Sequence, residues 1–169
     1  MIGAESTWCS SLLTPEHHVA EFTCGTVSLD SWLAQHALRA NRQNTARTYV
    51  WAAKDDMKVV AYYSIAPTEI IATGLPRSTA GGHSRIPDFL LARLALDQSL
   101  QGQGLGRFLL FDALERVCQA AATAAGRLVV VDPIDDAATA FYIHHGFRPI
   151  AGSSRLFMPV AAIRQALDH

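Results

Sequence analysis

QGQGLG, residues 101–106, stands between an apolar run, LLARLALD (90–97), and a segment rich in helix formers, RFLLFDALERVCQAA (107–121). Glycine at every second position weakens a helix or a strand interior alike, so the stretch serves something other than regular structure. A strand that enters a glycine-rich turn and leaves it as a helix makes an anion site. The first-turn backbone N–H groups point outward, and the helix dipole favours negative charge. Gly102, Gly104 and Gly106 clear side chains from the path of a phosphate, Gln101 and Gln103 offer further donors, and Arg107 adds a positive charge. A Walker loop would require GxxxxGK followed by Ser or Thr, which is absent. A dinucleotide fold requires GxGxxG early in the chain and an acid ending the next strand. Here the spacing is GxGxG and comes late, but Asp132 does end the next apolar run, so that reading stays open. A glycine turn that merely caps the helix is the third possibility.

Working outward, the segment after the glycines predicts a helix to about Ala122, with Leu110, Leu114, Val117 and Ala121 as its buried stripe. The runs Phe89–Leu96 and RLVVVD (127–132) read as buried strands, parallel to each other with that helix as the crossover. Asp135 to His145 reads as a further helix, with acids in its first turn and Gly146 just past its end. Arg155–Val160 reads as a last strand. Upstream, Ser28 caps a helix over LDSWLAQHALRANRQN (29–44), and TYVWAA (48–53) and MKVVAYYSIAP (57–67) form a hairpin around Lys54-Asp55-Asp56. Thr68–Thr73 continues as another strand, and Thr73–Pro87 is a long loop. The expected fold is therefore α/β: a mixed sheet with helices packed on it, in a single domain spanning 1–169.

Composition narrows the class. Half of the 169 residues are hydrophobic and 17% are charged, as in a compact folded protein, and the net charge is −1. Charge is unevenly placed: no acid occurs between Ser31 and Lys54, where Arg39, Arg42 and Arg47 fall, or around Arg77, His83 and Arg85. Cys9, Cys24 and Cys118 have no metal-knuckle or disulfide spacing. The adjacent histidines His17-His18 and His144-His145 point about 100° apart on a helix and suit helix ends better than a shared ion, so no metal is expected. His36 reads as a core or rim residue. No apolar run approaches the ~20 residues of a membrane span, and no signal peptide is evident, so the expected location is the cytoplasm.

The stretch LARLALDQSLQGQGLGRFLL resembles motif A of the GNAT (Gcn5-related N-acetyltransferase) family, whose signature Arg/Gln-x-x-Gly-x-Gly/Ala is met here by Gln101, Gly104 and Gly106. AATAFYIHHGF (137–147) resembles the family's late element, whose helix carries a tyrosine near the coenzyme A sulfur. The resemblance implies a GNAT sandwich: a mixed, mostly antiparallel sheet with two strands splayed apart around the pantetheine arm and helices on both faces. It implies acetyl-CoA as acetyl donor, with its pyrophosphate on Gln101, Gly102, Gln103, Gly104, Leu105, Gly106 and Arg107. The backbone of Leu94, Ala95 and Leu96 would lie along the pantetheine, the Leu94 and Leu96 side chains facing the core. Tyr142 becomes the general acid to the leaving thiolate, since a phenol of reference pKa ~10 is protonated at neutral pH. Asp132 either touches the cofactor or caps the helix after Pro133, and the cap is the better account. No general base stands out. Glu69 and Asp97 are candidates, each more readily a surface or structural carboxylate, and an α-amine of pKa ~7.7–8.0 needs little help from a base.

The N-terminal half narrows the resemblance further. Phe22, Cys24, Gly25, Leu29, Asp30, Trp32 and Leu33, then Tyr62, Tyr63 and Pro67, follow the pattern of the acetyltransferase toxins of toxin–antitoxin pairs. That likeness implies an aminoacyl-tRNA substrate acetylated on its α-amino group, a block of translation, and neutralisation by a ribbon-helix-helix antitoxin in a complex that represses its own operon. A homodimer is expected. Arg39, Arg42, Arg47, Arg77, Arg85 and Arg93 are the candidate tRNA-phosphate contacts. The departure from the pattern is the near-neutral net charge. An ordinary GNAT enzyme acting on a small-molecule or protein amine is the alternative, and a non-catalytic acetyl-CoA-binding module is another.

Overall fold

Residues 8–168 are described in the computed structural model. Along the chain come β1 (Ser11–Leu12), α1 (Val27–Gln35), α2 (Ala37–Gln43), β2 (Arg47–Ala52), β3 (Val59–Ile71), α3 (Arg77–Ala80), β4 (Arg85–Leu96), α4 (Gly106–Ala124), β5 (Leu128–Val131), α5 (Asp136–His144), β6 (Arg148–Pro149), β7 (Leu156–Pro159) and α6 (Val160–Leu167). The strands lie in one mixed, mostly antiparallel sheet in the order β1-β2-β3-β4-β5-β7-β6. As expected, β4 and β5 pair in parallel and α4 is their crossover; the register runs from Asp88↔Leu128 to Leu90↔Val130 and stops there, although β4 continues to Leu96. The predicted stripe of α4 is buried at Leu110, Leu114, Val117 and Ala121.

The residues divide into two compact units. The first takes the chain up to Ile65 together with Arg93–Asp112. Its core gathers Phe22, Leu33, Ala37, Val50, Tyr62 and Ala95. The helix expected over 29–44 is two helices that meet at His36, where φ is −126°. The break lets Leu33 and Ala37, 1% and 0% exposed, both reach the core, and it leaves His36 exposed rather than in a core or rim position. Ser28 is not the cap: the helix starts two residues earlier, at Val27 after Thr26, and the Asp30 carboxylate secures the entry by accepting the Cys24 N–H at 2.9 Å. The Tyr62 hydroxyl donates to the Leu29 carbonyl at 2.7 Å. The β2–β3 hairpin turns through Met57 at φ 59°, with the Lys58 N–H donated to Asp56 at 3.0 Å. β3 is one strand of 13 residues that runs through Pro67 without interruption.

The second unit takes Ala66–Ala92 and the chain from Ala113 onward. The expected loop Thr73–Pro87 is more ordered than its Gly, Pro and Ser content suggests. It holds a 3₁₀ turn at Ala72–Gly74, the short α3, and the first residues of β4. The Arg127 Nε donates to the Thr79 carbonyl at 2.7 Å and ties α3 down. Asp135, not Asp132, caps α5 by accepting the Ala138 N–H at 2.7 Å. Asp132 instead takes the Arg155 guanidinium on both oxygens, at 2.7 and 3.2 Å. Pro159 ends β7 and starts α6, which buries Val160 and Ile163 and was not legible as a helix in so short a segment.

Two stability predictions arise here. Gly126 sits at φ 126°, and a Cβ there would lie 2.2 Å from Phe89 Cε2. Gly126→Ala should therefore cost about 2–4 kcal/mol in urea unfolding. Asp88 is 4% exposed, its Oδ1 accepts the Leu128 N–H at 3.0 Å, and its Oδ2 has no partner among the described residues. Burial pushes its pKa up to about 7, against the pull of the Leu128 and Ile70 backbone bonds. The native state thus holds a proton that the unfolded chain releases near pH ~3.9, so stability falls as pH rises from that value toward 7. Asp88→Asn should flatten this slope in melting curves taken across that window.

Candidate active site

β4 ends in a tightly held corner. Asp97 Oδ1 accepts the Thr23 N–H at 3.0 Å, while Oδ2 accepts from the Ser99 N–H at 3.0 Å and the Ser99 hydroxyl at 2.7 Å, capping a 3₁₀ turn at Gln98–Leu100. Gly102 and Gly104 follow in the left-handed region, φ 77° and 74°, and a Cβ on either would meet nothing within 4 Å. Packing therefore does not demand glycine at these positions. The backbone conformation does, together with whatever approaches the open side of the turn. Gly106 is instead an ordinary helical residue, the first of the 19 in α4. A turn of this form against a helix N-terminus suits a phosphate, so the residues present fit the pyrophosphate of coenzyme A.

The two glutamines differ from expectation. The Gln101 side-chain amide donates to the carbonyls of Cys24 at 2.7 Å and Leu96 at 2.9 Å, which uses both of its N–H groups, and Gln103 donates to the Ser99 carbonyl at 3.0 Å. They brace the turn instead of reaching outward, tying it to carbonyls of the strand end, the 3₁₀ turn and the segment before α1. Arg107 is exposed, with its guanidinium 4.7 Å from the Phe108 ring centroid. Within β4, Ala95 is buried, while Leu94 and Leu96 are half-buried rather than core.

In the second unit, Tyr142 lies near the end of α5 at 8% exposure, edge-to-face with Phe141 and Phe147 at centroid distances of 5.4 and 5.3 Å. Burial pushes its phenol well above the ordinary range, so the proton stays on the oxygen at neutral pH. The hydroxyl has no hydrogen-bond partner among the described residues, which leaves the proton available to a ligand. Neither candidate base is poised as one. Glu69 pairs with Arg85 at 2.9 Å. For Asp97, burial acts to raise the pKa, but the hydrogen bonds from Thr23 and Ser99 outweigh it and hold the carboxyl below its usual value. His17 and His18 are not at a helix end: His17 lies in a bend, where its Nδ1 accepts the Thr14 N–H at 3.0 Å and burial lowers its pKa, and His18 forms a β-bridge with Lys58. His144 and His145 do end α5, where His145 packs on Phe141 at 4.8 Å. Among the described residues no group of three or more His, Cys, Asp or Glu could hold a metal. No helix among them is long and apolar enough to cross a membrane.

The acetyltransferase (GNAT) domain family matches residues 46–149, a stretch that holds both the glycine turn and Tyr142. The chain belongs to the GNAT acetyltransferase family. A relative from Mycobacterium tuberculosis (strain ATCC 25618 / H37Rv), a tRNA-acetylating toxin, is 37% identical over 130 residues, which are 76% of this chain and 77% of the relative. A probable toxin TacT from Sinorhizobium fredii (strain NBRC 101917 / NGR234) is 30% identical over 162 residues, covering 89% and 90%. The solved structure of AtaT complexed with acetyl-methionyl-tRNAfMet superposes with a TM-score of 0.88 at 28% identity, over 95% of this chain and 99% of that one. The same system has been solved as AtaTR bound with AcCoA, TM-score 0.84, and as the AtaT-AtaR complex bound to DNA, TM-score 0.78, both at 28% identity; they cover 95% and 94% of this chain and 98% and 99% of theirs.

The arginines of this GNAT acetyltransferase are less uniform than a basic patch would be. Arg39 and Arg42 are exposed on α2. Arg47 is turned onto the end of that helix, donating to the Asn41 carbonyl at 2.7 Å and to Asn44 Oδ1 at 2.5 Å. Arg93 is half-buried with its guanidinium 3.9 Å above the Trp32 ring. In the second unit, Arg77 opens α3, and Arg85 belongs to the ion pair with Glu69, so that stretch is acid-free in sequence but not in space. The sequence pattern singled out Tyr63 but gave no sign of its polar partners in the first unit. Tyr63 donates to Asp112 Oδ1 in a short hydrogen bond, and Ser10 joins them, 2.5 Å from the carboxylate and 3.2 Å from the phenol. Sequence separations of 49 to 102 residues leave no local signal for such a cluster.

Proposed function

We propose that this GNAT acetyltransferase transfers the acetyl group of acetyl-CoA to the α-amino group of an aminoacyl-tRNA, acting as the toxin of a toxin–antitoxin pair. The likeness to the Mycobacterium tuberculosis tRNA-acetylating toxin carries the choice of acceptor. When bound, acetyl-CoA supplies the activated acetyl thioester. The turn Gln101–Arg107 holds its pyrophosphate through backbone N–H groups over the open glycines, with Arg107 adding charge, and the backbone of Leu94, Ala95 and Leu96 lies along the pantetheine. Tyr142 holds the proton that the departing sulfur takes. No base is assigned, since an α-amine of pKa ~7.7–8.0 is already partly neutral at physiological pH. Arg39, Arg42, Arg77 and Arg93 contact RNA phosphates, and Arg47 and Arg85 do so while also holding their own neighbours. Residues 1–169 act as one catalytic domain in a cytoplasmic homodimer, and a ribbon-helix-helix antitoxin neutralises it. The AtaT-AtaR complex bound to DNA supports a partner of that kind.

One observation favours a second reading, an ordinary acetyltransferase for a small-molecule or protein amine: the chain is near-neutral, and several of its arginines are engaged internally. Purified protein with radiolabelled acetyl-CoA and total tRNA, before and after aminoacylation, separates the two. Label on charged tRNA alone supports the toxin reading. Label absent from tRNA but present on polyamines, aminoglycosides or protein amines supports the other.

A further inference from the structure

Ser78, Thr79, Gly126, Arg127, Arg148 and Arg164, all in the second unit, line a groove of about 430 Å³. No carboxylate lines it. Arg85 and Arg155 in the same unit have acidic partners, whereas none of these three arginines forms an ion pair among the described residues. Two of them are positioned by their surroundings. The Arg127 guanidinium is anchored by Nε on the Thr79 carbonyl at 2.7 Å and by Nη2 toward the Ser78 carbonyl at 3.4 Å. It occupies space that a side chain at position 81 would fill, since a Cβ on Gly81 would lie 2.4 Å from Arg127 Nη2. Arg148 lies over the Phe157 ring at 5.0 Å. Arg164 projects from α6 and is exposed, as is Arg148. Asp88, whose carboxyl feels the Arg127 charge, is buried and does not line the groove.

Three like charges around one groove repel one another, and pre-positioned guanidinium forks lose little freedom when they take oxyanions. We propose that this groove is a second phosphate-binding surface, taking the phosphodiester backbone of the RNA acceptor. The proposal rests on the aminoacyl-tRNA reading above and adds three arginines outside the two stretches, Ser31–Lys54 and Arg77–Arg85, named in the sequence. RNA is favoured over a single free phosphate because the groove is open and several times larger than one phosphate group, and its cations come from separate places in the chain, the residue before β5, β6 and α6.

The test is the variant R148Q/R164Q in the full chain, with Arg127 left intact because it also holds α3. Binding of deacylated total tRNA is measured by filter retention across a salt series. The expected result is a Kd raised at least about tenfold near physiological salt, and a log–log salt slope reduced by about 1–2. The acetyl-CoA Kd and the melting temperature should match wild type, and R148K/R164K should recover most of the affinity. If wild type binds tRNA and the glutamine variant matches it in Kd and slope, the groove assignment is overturned while the acceptor reading stands. If wild type binds no tRNA, the acceptor reading itself fails and takes this one with it. If the variant loses only inorganic pyrophosphate binding, the groove is a small-anion site and the RNA assignment is overturned.

Discussion

Tyr142→Phe should lower acetyl transfer by about 10²–10⁴-fold, the range for removing a general acid, with the acetyl-CoA Kd unchanged. The substitution keeps the ring between Phe141 and Phe147, at centroid distances of 5.4 and 5.3 Å. It removes a hydroxyl that makes no hydrogen bond among the described residues, so the folded state loses no internal bond. Melting temperature should hardly move. A purely structural tyrosine in this aromatic cluster would give the same stability result with turnover intact, so CoA release together with a melting curve separates the two roles. Turnover within threefold of wild type would remove Tyr142 from the chemistry.

Gly104→Val should abolish measurable acetyl-CoA binding, at least about a hundredfold in Kd, while costing only about 1–2 kcal/mol of stability from forcing an L-residue into a left-handed conformation. The asymmetry follows from the geometry. φ is 74°, but a Cβ there meets no protein atom within 4 Å, so the side chain disturbs nothing of the fold beyond its own backbone. It would stand on the open side of the turn, where the pyrophosphate is proposed to approach the N–H groups. Gly104→Ala should fall between wild type and valine. Isothermal titration with acetyl-CoA and urea unfolding of the same variants measure both halves. A valine variant that binds normally would place the pyrophosphate elsewhere.

Much of the candidate site's local structure was legible in the chain because its signals are local. A strand, three glycines at alternate positions and a periodic helix announce the turn, and the Ala-rich helix ending at Gly146 announces the Tyr142 element. What went astray depended on partners far away in sequence. Gln101 and Gln103 look like free donors until the carbonyls of Cys24, Leu96 and Ser99 are placed beside them. Asp132 looks like a cap until Arg155 is brought across from β7's approach. Arg85 looks like part of a basic run until Glu69 pairs with it.

The sequence by itself determined the β2–β3 hairpin, the parallel β4–α4–β5 unit, the glycine turn before α4 and the family. These follow from periodicity, glycine spacing and helix ends, which act within a few residues. Tertiary structure alone decided which charges are free. Arg47 and Arg85 are engaged, Asp97 is a brace, and Arg127, Arg148 and Arg164, from the approach to β5, from β6 and from α6, line one groove. Electrostatic partnership depends on distance in space, and folding brings that about between residues whose sequence separation carries no trace of it.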